Sequence, residues 1–168
     1  MEIGLLLLRL ALGGLLFGHG AQKMFGWFGG LGLDRTGGVF SSWGLRPGRT
    51  MAFVAAASEI TAAALLVLGL LSPLAAAMTC GTLIVAGSVN ASKGLWAQTG
   101  GFELPLLYAV VGAALGFTGP GEWSLDHAFG LTELSGAAWG SAAVGAAALA
   151  AAGVITRASL LRRRSVTA

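Results

Sequence analysis

Residues 3–25 read IGLLLLRLALGGLLFGHGAQKMF, and this stretch decides the fold class. Crossing the hydrocarbon of a bilayer takes roughly 20 mostly apolar residues, and this run interrupts its apolar character only with Arg9, His19 and Lys23 among ionisable groups. Outward from it, four further windows are apolar: 51–71, 74–92, 104–118 and 137–156. The window 104–118 is short, about 23 Å at ~1.5 Å per residue, so an extra turn at one end is expected. The last window, mostly Ala and Gly, is the least hydrophobic; it reads as a fifth span, with a helix lying on the membrane surface as the alternative. A cleaved leader is not expected, because Glu2 and no Lys or Arg precedes the first apolar run.

Composition points the same way. Of 168 residues, 55% are hydrophobic and 10% charged, against roughly 25% charge in soluble domains; mean hydropathy is +0.80. A water-soluble globule is excluded. The fold expected is all-α, a polytopic membrane helix bundle. A single cysteine, Cys80, excludes an internal disulfide and any CxxC redox pair. The net charge of +3 owes much to Arg162, Arg163 and Arg164, and does not indicate nucleic-acid binding. His127 reads as an exposed loop residue and Cys80 as a small packing residue.

The connectors carry the orientation. Leu71-Ser72-Pro73-Leu74 is a minimal turn, which makes the second and third spans an antiparallel hairpin. Residues 26–50 form a long glycine- and aromatic-rich connector, with a short interfacial helix expected near 36–45. Its aromatics, Phe25 through Trp43, suit the headgroup boundary more than a cofactor stack. Lys23, Arg35, Arg46, Arg49, Lys93 and Arg157 fall on one side of a five-span chain, whereas 119–136 holds Glu122, Asp126, His127 and Glu133 with no Lys or Arg. The positive-inside rule then puts the amino terminus outside and the carboxy terminus in the cytoplasm of a cell-membrane protein. Gly14/Gly18, Gly112/Gly116 and Gly136/Gly140 have GxxxG spacing, read as packing within the bundle, with an oligomer face as the alternative.

Ionisable groups inside apolar spans cost ~2.5–3.5 kcal/mol each at a helix centre and mark candidate sites. At ~100° per residue, Arg9, Leu12, Leu16, His19 and Lys23 share one arc of the first helix. Alternating chain direction brings His19, Gln22 and Lys23, Glu59, Asn90 and Lys93, and Glu103 toward one membrane side. Glu59 is expected to face His19, with Lys23 nearer the interface and free to snorkel. Arg9 lies ~15 Å deeper; it either reaches Glu59 or pairs with backbone near the opposite face. The bland readings are a buried Arg9–Glu59 pair fixing helix register and a neutral His19 satisfied by one carboxylate. No metal, P-loop or Ser-His-Asp grouping is present, and GLGLDRTGG lacks the dinucleotide fingerprint. A quinone or small-anion pocket, a proton path or a scaffold remains.

The run LLRLALGGLLFGHGAQKMFG, then SEITAAALLVLGLLSPLAAA, then TGGFELPLLYAVVGAALGFTGPGEWSLD resembles the DoxX family of bacterial membrane proteins from about Leu6 to Asp126. The resemblance implies a four-helix core, over about 1–130, so that 137–156 is an added carboxy-terminal helix followed by a basic tail at 157–168. It points to Arg9, His19, Gln22, Lys23, Glu59 and Glu103. A histidine common in the family near the end of the third span has Asn90 or its neighbours in its place. The resemblance further implies a quinone-linked role in sulfur oxidation or redox stress. For that role the expected catalytic residues are His19 and Glu59, and the expected substrate- or quinone-binding residues Arg9, Gln22, Lys23, Asn90 and Glu103. No covalent cofactor is implied; quinone is the expected cofactor, and soluble redox enzymes are the expected partners beside the lipid bilayer. The alternatives are a non-catalytic membrane scaffold for such enzymes, or a small-solute or proton transporter.

Overall fold

A computed structural model describes residues 1–166; residues 167–168 of the basic tail, and the side chains of residues 164–166, lie outside the described part. The fold is all-α. The helices are α1 (Glu2–Met24), α2 (Gly32–Ser42), α3 (Gly48–Leu68), α4 (Ser72–Asn90), α5 (Glu103–Thr118), the single turn α6 (Leu125–Ala128) and α7 (Ala137–Val166). Among the described residues, four segments are long and apolar enough to cross a membrane: Glu2–Met24, Gly48–Leu68, Ser72–Lys93 and Ala137–Arg163. The chain is thus a membrane protein built as a helix bundle, and α7 has the length of a span.

Several boundaries depart from the sequence reading, the third span among them, which runs Ser72–Asn90 and not 74–92. The second span starts and ends three residues early, because Gly69 leaves the helix in the left-handed region at φ 62°, and Leu70 N donates back to Leu65 O at 2.9 Å in a Schellman-type stop. The fourth gains one residue instead of a turn, held short by positive-φ glycines at Gly100 and Gly119. The fifth helix does not stop at 156. No Gly or Pro follows Gly153, so the expected tail continues as helix to Val166. The connector helix also begins four residues earlier than expected, at Gly32.

The packing order is α1 on α3, α3 on α4, and α4 on both α5 and α7, with α2 laid against α3. Arg9, Leu12 and Leu16 are buried and His19 and Lys23 half-buried, so the arc of α1 identified from the sequence does face inward. The core centres on Leu12, Leu16, Ala62, Leu66, Leu83 and Leu115.

Close helix approach uses different glycines from those expected in α1. Gly14 faces open space, and so does Gly18. It is Gly13 and Gly20 that meet α3: a Cβ on Gly20 would come within 2.6 Å of Ile60 Cγ1 and 3.0 Å of Ala56 O. Gly112 and Gly116 do pack as expected, on Thr79 and Ala76 of α4; Gly140 packs on Phe117, whereas Gly136 precedes α7 and a Cβ there would meet open space. Overpacking costs typically 1–3 kcal/mol, or roughly 2–4 °C of melting temperature per kcal/mol at this size. Gly20→Val should therefore lower the melting temperature in detergent by about 5 °C, and Gly14→Val should leave it unchanged. Equal effects at the two positions would refute this packing.

Candidate functional site

At the end of the bundle where α1, α4 and α7 finish, the last turn of α1 presents His19, Gln22 and Lys23. The middle of α3 adds Glu59 and the last turn of α4 adds Asn90. All five line one cavity of about 710 Å³, within the roughly 300–1,000 Å³ of ligand sites. Lys23 Nζ donates to both carboxylate oxygens of Glu59, at 2.8 and 2.7 Å. Glu59 is 3% exposed and the Lys23 side chain 25%. Gln22 Nε2 donates to Phe28 O at 3.3 Å, and Asn90 Nδ2 to Ala86 O at 3.4 Å.

The expected partnership of Glu59 with His19 is therefore corrected: Lys23 holds the carboxylate. Lys23 lies one turn beyond His19 on the same face, and its long stem lets the ammonium fold back into the bundle. A buried carboxylate is costly unless paired, which favours that fold-back over snorkelling. His19 lies instead beside Tyr108 of α5, ring centroids 6.1 Å apart. Tyr108, five residues past Glu103, was not among the expected site residues.

Arg9 and Glu103 do not join the cavity. Arg9, 2% exposed, takes the backbone route of the two left open. Its guanidinium donates to Leu66 O (2.8 Å), Val67 O (2.9 Å), Pro120 O (2.7 Å) and Trp123 O (2.8 Å). It therefore ties the last turn of α3 to the 119–124 segment at the far end of the molecule. Asp126, 1% exposed, works beside it by accepting from Leu71 N, Ser72 N and Ser72 Oγ at 2.8, 3.1 and 2.7 Å. Those are orphan donors at the start of α4, a role visible in principle from the unsatisfied Ser72-Pro73 helix start. Glu103 Oε2 accepts from Ala97 N at 2.8 Å and closes the loop before α5, and Lys93 sits exposed on the same loop.

The rest of the cavity was not foreseen. Its cover is the connector, with Thr36, Phe40 and Trp43 of the α2 region lining it and the Phe40 and Trp43 rings 5.5 Å apart. Phe25, Trp27 and Phe28 are exposed, as boundary residues should be, so the aromatic set divides into two jobs. One long side is α4 from Ala77 to Asn90, and another is α7, contributing only Ala146, Ala147, Ala150, Ala151 and Val154. The chamber is largely apolar; its polar groups are His19, Gln22, Lys23, Glu59 and Asn90, with the hydroxyls of Thr36, Ser58 and Thr82. Binding there suits an amphipathic molecule with an oxygen-bearing head and a hydrocarbon body.

The fold and this cavity define a multi-pass helical membrane protein with an amphipathic site near one membrane face. The chain belongs to the DoxX family, whose model matches residues 4–91, just over half of it. No curated protein and no solved structure matches the chain. The family match covers α1 to α4, and with them His19, Gln22, Lys23, Glu59 and Asn90. It ends before α5 and α7, so the resemblance drawn from 101–126 extends past the matched region.

Proposed function

We propose that this protein is the quinone-binding membrane component of an oxidoreductase system whose electrons come from a soluble redox enzyme. The observation that supports the reading is the cavity itself: an ion pair, an imidazole and two amides set in a lining that is otherwise largely apolar. The residues fit a quinone, which would serve as acceptor of two electrons and two protons. Lys23 Nζ and Gln22 Nε2 are donors for a ring oxygen. Glu59 holds the Lys23 ammonium in place, and His19 can pass protons between the membrane face and the site. Arg9 and Glu103, in this reading, are structural residues and not quinone ligands.

Orientation follows from charge. Arg35, Arg46 and Lys93 are exposed at the cavity end, as is the Arg49–Asp34 pair. The positive-inside rule makes that end cytoplasmic and the amino terminus external, so the soluble electron donor docks where the cavity head lies. The same basic end favours a second reading, a non-catalytic anchor for soluble enzymes.

Titration of the detergent-purified protein with decylubiquinone, followed by calorimetry, tests the first reading. Saturable binding is expected, weakened at least tenfold by Lys23→Met. Absence of saturable binding to the wild-type protein would overturn it. Co-purification of a soluble enzyme that survives both Lys23→Met and Glu59→Gln, with no quinone bound, is the outcome of the anchor reading.

A further inference from the structure

Two hydroxyl groups of the cavity have no part in the arrangement above. Ser58 of α3 and Thr82 of α4 both line it and are half-buried. The hairpin sets them level: Ser58 lies ten residues before the end of α3 at Leu68, and Thr82 ten residues after the start of α4 at Ser72. The packing of α1 reaches the same level from the other side. Gly13 meets Ala63 and Val67, and Gly20 meets Ala56 and Ile60, so antiparallel α1 brings His19 level with Glu59, the residue after Ser58. Lys23 reaches back one turn to hold the Glu59 carboxylate. His19, Ser58, Glu59 and Thr82 thus form one polar tier drawn from three helices.

Within this tier Glu59 and Lys23 satisfy each other. The hydroxyls are not satisfied: among the described residues neither Ser58 Oγ nor Thr82 Oγ1 has a hydrogen-bond partner. A hydroxyl in a helix commonly bonds back to a carbonyl of the preceding turn, and a hydrogen bond left unmade away from water is costly. Both groups are therefore available to whatever fills the chamber. Thr36, the other hydroxyl of the lining, belongs to the cover. Its neighbour Gly37 packs on Arg49, which lies ten residues from Glu59 along α3, or about 15 Å. A quinone offers two oxygens at opposite ends of a rigid ring, and Lys23 and Gln22 serve one of them.

We propose that Ser58 and Thr82 are the second anchor of the bound quinone, their hydroxyls donating to the ring oxygen opposite the one held by Lys23 and Gln22. The ring then bridges from the end of α1 to the seam between α3 and α4, and its place is fixed at both ends. The site accordingly selects para-quinones with both oxygens unsubstituted. The inference rests on the quinone reading for the identity of the ligand; what it adds is the pair of residues at the far oxygen.

The test uses the full-length protein in nanodiscs, saturated with decylubiquinone that carries carbon-13 at one ring carbonyl or the other, and reads infrared spectra beside calorimetry. A hydrogen bond lowers a carbonyl stretch, so both labelled bands of the wild type should lie below those of free quinone in the same lipid. Ser58→Ala with Thr82→Val should return one band to its free position and weaken binding about fivefold for each hydroxyl removed. Lys23→Met should raise the other band. Each single variant should raise the first band part of the way, which keeps the comparison readable where the double variant does not fold. Ser58→Thr and Thr82→Ser retain the hydroxyl and should keep the band low. Thr61→Val, exposed on α3 and outside the cavity, should change nothing. Two lowered bands in the hydroxyl-free variants, or weakening shared by Ser58→Thr and Thr82→Ser, overturn the second anchor and leave the quinone reading standing. Wild-type protein that binds no decylubiquinone overturns both.

Discussion

Arg9→Met is expected to abolish accumulation of the protein in membranes. The Arg9 side chain supplies four hydrogen bonds to backbone carbonyls on two segments more than fifty residues apart in sequence. Bonds from a charged donor contribute about 1.5–3 kcal/mol each, and the whole stability of a domain is of order 5–15 kcal/mol. Loss of all four therefore rivals the total. Methionine also leaves the carbonyls of Val67, Pro120 and Trp123 without this donor in a site with no room for much water, since the adjoining void is only about 10 Å³. Arg9→Lys keeps the charge but not the planar fork, and should leave a protein that can be purified with a melting temperature lower by about 10 °C. Membrane immunoblots and thermal unfolding in detergent check both. An Arg9→Met protein with wild-type abundance and melting temperature would show that the carbonyl cage does not hold the structure together.

The second large effect concerns the ion pair of the cavity. Removing one partner of a buried pair costs roughly 3–5 kcal/mol, whereas removing both is often close to neutral. Lys23→Met strands the Glu59 carboxylate, 3% exposed, inside the bundle; Glu59→Gln leaves a lysine already 25% exposed that can swing toward the headgroups. Lys23→Met should therefore lower the melting temperature by about 10 °C, Glu59→Gln by clearly less, and the double variant should recover most of the loss. Strict additivity in this cycle would mean the two side chains do not interact in the membrane. Recovered stability with quinone binding still absent in the double variant would separate the role of the pair in folding from its role at the site.

The apolar helices and the inward face of α1 were readable because apolar length and 3.6-residue spacing are properties of the chain alone, but of the five spans expected, Glu103–Thr118 falls short of the length needed to cross. Boundaries were not readable where Gly69 sits inside an unbroken apolar run: hydropathy passes through a glycine that the backbone uses as a stop. The same blindness produced Gly14 and Gly18 in place of Gly13 and Gly20, since a spacing motif does not say which face meets a neighbour. Depth arithmetic brought His19, Gln22, Lys23, Glu59 and Asn90 together, and all five line one cavity. It could not separate Lys23 from His19 as the partner of Glu59, because the difference lies in the reach of a flexible stem. Glu103 shared the level but not the interior. The alanines of α7 gave no signal at all, as a residue that contributes by being small looks like any other helix former.

Gly44, at φ 83°, has no room for a Cβ because Ala158 O and the Arg162 side chain occupy the place. Beside it Phe40 and Leu45 share a packed cluster with Ala52 and Ala158. The chamber's cover is thus fastened to the far part of α7, which is made after the other described helices. During biogenesis α1, α3, α4 and α5 can enter the lipid while this cover still lacks its support. The binding compartment closes only when the ribosome has delivered residues near 158, so premature termination before that point yields an inserted protein with an unfinished chamber.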